Sequence, residues 1–130
     1  MFSLARAQLG HAYLQKGMRA EAITEFEAGA RIGSPSDRAH LAYGCAIGGR
    51  REDAMPILAN LMSPGNHPPP FHMALAYVGL ADQPEAFRWP ERAREVHDPW
   101  LITLNIDRAF DPLRADSRFA DIVRAMGLVP

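Results

Sequence analysis

The sequence predicts an all-α fold, an α-solenoid of about three helical hairpins closed by a C-terminal capping helix. Three observations predict it. First, Leu9, Tyr13, Gly17, Ala22 and Phe26 are answered 32 residues later by Leu41, Cys45, Gly49, Ala54 and Leu58, and again by Met73, Tyr77, Ala81, Ala86 and Pro90. A fixed period of this length marks an array of units that bury their apolar faces against one another. Second, leading apolar residues fall four apart, as Leu9 and Tyr13 do, on one face of a helix. Third, Gly17 and Gly49 stand where a first helix has to end, since glycine takes the left-handed conformation without steric cost.

The elements follow in order. The first helix should run from Phe2 or Ser3 to Lys16, and its partner from about Arg19 to Ile32, with Gly33 as the stop. Gly10, answered by Ala42 and Ala74, is small where a neighbouring helix comes close. Ala22, Ala54 and Ala86 place a methyl group where the second helix of each pair crosses the first. Glu21, Asp53 and Glu85 precede them in the opening turn, where a carboxylate favours the helix dipole. Ser34 and Pro35 read as a cap and a first-turn proline opening the second pair, about 35–47 and 51–62. Pro56 predicts a local distortion or a late start in its second helix. The stretch from Ser63 to Pro70 is a stiff, extended connection because of its three consecutive prolines. The third pair should occupy about 69–80 and 83–96, capped by Asp82, with Pro84 in the first turn and a kink at Pro90. Beyond it the repeat decays. Asp98 and Pro99 start a short helix near Trp100–Leu104, one helical turn is expected at Pro112–Arg114, and an amphipathic helix spans about Ser117–Met126. Phe119, Ile122, Val123 and Met126 share a face of that last helix, which Gly127 ends. The whole is one domain, 1–130, with repeats at about 3–33, 35–62 and 69–96 and a tail over 97–130.

The pattern L-G-x-x-Y, turn glycine, E-A-x-x-x-F, best seen over Leu9–Phe26, resembles the tetratricopeptide repeat. The tail's P-W-L, F-D-P-L-R, R-F and M-G-L series resembles the C-terminal end of bacterial signalling proteins that carry such repeats. That resemblance implies that the chain is the end of a longer protein. Stacked hairpins leave a concave surface lined by the first helix of each pair. The register places Ala7, His11 and Leu14, then Ala39, Tyr43 and Ala46, then Phe71, Leu75 and Val78 along it. This groove is apolar and aromatic. Tetratricopeptide domains that grip a terminal carboxylate do so with lysine, asparagine and arginine, whereas Ala7, His11, Ser36 and His40 stand at those places here. Binding of that kind is therefore not expected.

Composition narrows the function further. A net charge of −1 gives no footprint for nucleic acid or an anionic membrane, and no apolar run is long enough to span a bilayer. A secretory leader is not expected, and a single cysteine predicts a cytoplasmic setting. The five histidines show neither the i, i+4 pair nor the Cys/His cluster of a metal site, so neither metal nor cofactor is expected. Cys45 falls in a core register and reads as a buried, inert thiol. Trp100 reads as a core anchor of the tail, and Trp89 as partly exposed by the kink at Pro90. No catalytic constellation is visible, and the sequence reads as a non-enzymatic module that binds a protein or peptide in its groove. The rival reading is a structural or regulatory segment of a larger bacterial signalling protein that self-associates. In that case Phe2, Leu4, Leu9 and Met18, lacking an upstream neighbour, would form a homodimer contact through the N-terminal repeat.

Overall fold

Identical helix ends set the architecture. In the first hairpin the Gly17 amide donates to the Leu14 carbonyl and the Met18 amide to that of Tyr13. Gly49 and Arg50 bond in the same way to Ala46 and Cys45, and Ala81 and Asp82 to Val78 and Tyr77. This double bond at a helix end requires one left-handed residue. Gly17, Gly49 and Ala81 have φ of 75°, 80° and 58°. The 32-residue period is thus a repeated turn as well as a repeated face.

The structure, a computed structural model, describes the backbone of residues 2–32 and 34–127 and the side chains of 5–31 and 34–127. Among the described residues there are seven α-helices, two 3-10 helices and no strand. The hairpins are α1 (Phe2–Gln15) with α2 (Arg19–Ile32), α3 (Pro35–Ile47) with α4 (Arg51–Leu61), and α5 (Pro70–Gly79) with α6 (Gln83–Glu95). The tail holds 3-10 helices at Pro99–Thr103 and Arg108–Leu113 and then α7 (Ser117–Ala125). α1 packs on α2, α2 on α3, α3 on α4, α5 on α6 and α6 on α7, and α3 bridges α1 and α5 side by side. The chain is an all-α, repeat-like solenoid. No helix among the described residues is long and apolar enough to cross a membrane.

Small residues let the helices close. Ala22, Ala54 and Ala86 are fully buried at the three crossings. The Phe26 ring fills the space between Gly10 of α1 and Gly44 of α3; a Cβ on Gly10 would lie 2.7 Å from the ring, and one on Gly44 nearer still. Ser34 closes a capping box with Asp37, as the Ser-Pro start implied. The expected stop at Gly33 lies outside the described residues.

Pro56 and Pro90 sit inside α4 and α6, and both helices continue past them, so α4 shows no late start. Pro56 is exposed, where water can serve the carbonyl its missing amide leaves free, and Pro90 is locked in the core. Trp89 is accordingly buried, its Nε1 donating to Glu85 at 3.1 Å. Trp100 is not a core anchor, being 43% exposed. Leu101, Leu104, Phe110 and Leu113 take that role, because two successive 3-10 helices turn those residues inward together.

The tail does more than cap the last repeat. Phe119, Ile122 and Val123 of α7 are buried, and α7 packs on α6. The second 3-10 helix instead folds back along α5, where Phe110 meets Phe71 with ring centroids 5.3 Å apart. Every residue from Phe71 to Val78 is consequently buried. The tail is pinned at its start by Asp98, whose two carboxylate oxygens accept the Phe71 amide at 3.1 Å and the Trp100 amide at 3.0 Å. Proline at positions 69 and 70 leaves the first turn of α5 short of donors, and Asp98 serves the first amide it has.

Candidate functional site

The inner face of α1, α3 and α5 carries the residues that the repeat register places there. Ala7, Ala39, Tyr43, Phe71, Leu75 and Val78 are buried, and His11, Leu14 and Ala46 are half-buried. As an open surface the groove is shorter than the repeat alone implies. The tail lies over its third-repeat end, so Phe71, Leu75 and Val78 pack against the chain itself. What stays open is a groove of about 500 Å³ between α1 and α3, lined by His11, Leu14, Tyr43 and Ile47 and walled by Asp107, Arg108 and Ala109 of the tail. Of the expected self-association residues, Leu9 is 42% and Met18 38% exposed, and the side chains of Phe2 and Leu4 lie outside the described residues.

The structure also gathers three histidines, one from each inner helix, which the sequence reading left apart. His11 Nε2 and His40 Nδ1 are 3.1 Å apart, one donating to the other. The His40 and His72 rings meet edge to face at 4.9 Å, and His72 meets Trp100 of the tail at 5.6 Å. Phe26 lies parallel to His40, and its ring stands edge-on to His11. The row is thus held between the core of the first hairpin and the tail.

Burial decides its charge. All three imidazoles are held below the usual histidine range, first because the charged form would lose its water. His40, in the middle, is pushed furthest, and His72 and His11 on either side add to the effect. Asp107 opposes it at His11, and Asp98 and Asp37 oppose it at His72. Burial, aided by Asp107, pushes the Tyr43 hydroxyl up to about 12. The row is therefore neutral at pH 7, with carboxylates at both ends. Its one fully buried atom without a hydrogen-bond partner is His72 Nδ1, a condition worth about 1–3 kcal/mol against folding.

This arrangement can accept and donate hydrogen bonds, and it presents no nucleophile. Cys45 is 2% exposed, and burial raises its thiol above the ordinary range, which favours the inert form. Among the described residues, no group of three His, Cys, Asp or Glu side chains is placed to hold a metal ion.

The histidine row had a signal in the sequence. His40 and His72 are 32 residues apart, one full repeat, so they occupy equivalent places on adjacent inner helices. Gln8 holds the same place in the first repeat, and His11 lies one helical turn further along. No family model, curated protein or solved structure matches the chain.

Proposed function

We propose that this chain is a tetratricopeptide-like, non-enzymatic interaction module, acting in the cytoplasm as part of a bacterial signalling protein and binding a peptide segment of a partner. The open groove between α1 and α3 carries the reading. Leu14, Tyr43 and Ile47 form its apolar side, and Gln8, His11, Gln15, Asp107 and Arg108 place polar groups around it. Its remaining length is taken by the chain's own tail, which leaves room for a short segment only. Selection from a displayed peptide library, followed by titration of the selected peptide, tests it. Leu14→Glu and Ile47→Glu, both only half-buried, should weaken binding at least tenfold while leaving the helical circular dichroism intact. Unchanged affinity in both variants would place the binding surface elsewhere.

A second reading, self-association through the first repeat, rests on the repeat itself. Leu9 is 42% exposed, its counterpart Leu41 is half-buried and Met73 is fully buried. Leu41 packs against Ala7, Ala22 and Phe26 of the first hairpin, whereas Leu9 is left open. A second copy of the chain supplies such a cover. By sedimentation the chain should then have twice its 14.4 kDa mass, and Leu9→Glu should return it to monomer. A monomer at millimolar concentration counts decisively against this reading.

A further inference from the structure

The histidine row lines a small cavity of its own, about 180 Å³, at the seam between the inner helices and the tail. Its walls divide by chemistry. Ala7, Phe71, Leu75 and Trp100 form an apolar and aromatic side. Gln8, His11, His40, His72, Thr103 and Asp107 form the polar side. Neither lysine nor arginine is among its lining residues, and the carboxylates that act on the row are Asp107 at His11 and Asp37 and Asp98 at His72. Arg108 borders the larger groove next to it, not this cavity.

We propose that this cavity binds a primary alkylammonium group, such as the end of a lysine side chain. Three features select that class. Among the described residues the one full charge lining the cavity is the negative charge of Asp107, so a carboxylate or phosphate is repelled while a cation is attracted. Neutral imidazoles offer lone pairs, and Asp107, Gln8 and Thr103 bring oxygen acceptors to the same wall. An ammonium supplies three donors, and the Trp100 ring adds a face that attracts cations. The methylenes behind it meet Leu75 and Phe71. A guanidinium is wider and planar, and suits the curved wall of imidazole edges less well.

The proposal rests on the reading of the inner face as a binding surface, and names the side chain that it selects. The two can fail separately. The test is titration of the intact chain at pH 7.5 with n-pentylammonium chloride, with 1-pentanol and sodium pentanoate as matched probes. The imidazole signals of the three histidines and the Trp100 indole signal are followed by NMR. Pentylammonium should shift all four saturably, with an affinity at least tenfold above either matched probe. Asp107→Asn, which keeps the oxygen that accepts the Ala109 amide, should weaken it at least fivefold. His72→Phe should abolish it, and the circular dichroism of that variant shows whether the fold persists. Equal binding of pentanol or pentanoate, no effect of Asp107→Asn, or occupation by Zn²⁺ where pentylammonium gives no shift, overturns the proposal. If selected groove peptides bind equally well with lysine replaced by norleucine, the groove reading stands and this one falls. If pentylammonium saturates the cavity but no peptide is ever selected, the reverse holds.

Discussion

At the residue scale, the left-handed position that closes each first helix is the most constrained. Gly17 and Gly49 occupy it without strain, but the third copy is Ala81 at φ 58°. A β-carbon there costs roughly 1–2 kcal/mol, against which glycine's greater freedom in the unfolded chain takes back about 0.5–1. Ala81→Gly should therefore stabilise the protein by about 0.5–1 kcal/mol in a denaturant titration. A loss of stability would mean that the Ala81 methyl makes contacts that outweigh its strain. Gly44 is constrained in the opposite sense, by space alone, since its neighbours are Cδ2 and Cε2 of the buried Phe26 ring. The two glycine roles, conformation and room, look identical in a sequence.

At the element scale, the decisive junction is between α5 and the tail, and Asp98 makes it. One carboxylate satisfies the first free amide of α5 and starts the first 3-10 helix. Neither helix has another cap of comparable quality, because Pro69 offers α5 no side-chain acceptor. Asp98→Ala should cost about 1–2 kcal/mol, the usual worth of an N-cap, with some addition for the stranded Phe71 amide. Hydrogen exchange gives the sharper reading. The Phe71 amide and those of residues 100–104 should lose protection together, with α1 and α2 unaffected. Loss confined to one side would show that the two ends are not coupled through this carboxylate.

At the scale of the whole molecule, the histidine row makes stability depend on pH. His11, His40 and His72 come from three helices, and their folded-state pKa values are lowered. In the unfolded chain they return to about 6.5. Between those values the unfolded state binds more protons, so stability falls as pH falls. Above pH 7 the row is neutral in both states and contributes no slope. The denaturation midpoint should hold level from pH 8 to 7 and drop between 6.5 and 5, before the carboxylates titrate. His40→Phe should flatten that drop, because His40 is pushed furthest and a phenyl ring can take its place against Phe26. A midpoint that rises on acidification would mean that Asp37, Asp98 and Asp107 outweigh burial.

The sequence by itself determined the helices, their pairing and their order. Those rest on local quantities: the 32-residue step, the turn glycines, the Ser34 and Asp82 caps and the alanines at the crossings, each acting within a few residues of itself. The register likewise proposes one inner face for Ala7, Tyr43, Phe71 and their equivalents. The tertiary structure alone decided which part of that face is open. The tail's apolar residues are spaced as 3-10 turns, and nothing in their spacing says which surface they cover. Packing sends Phe110 onto Phe71 and leaves Trp100 outside. The histidine row is intermediate: the repeat period relates His40 to His72, but how far apart the rings stand follows from how closely α1, α3 and α5 pack. Burial then sets their charge, a property of the assembled fold and of no single helix in it.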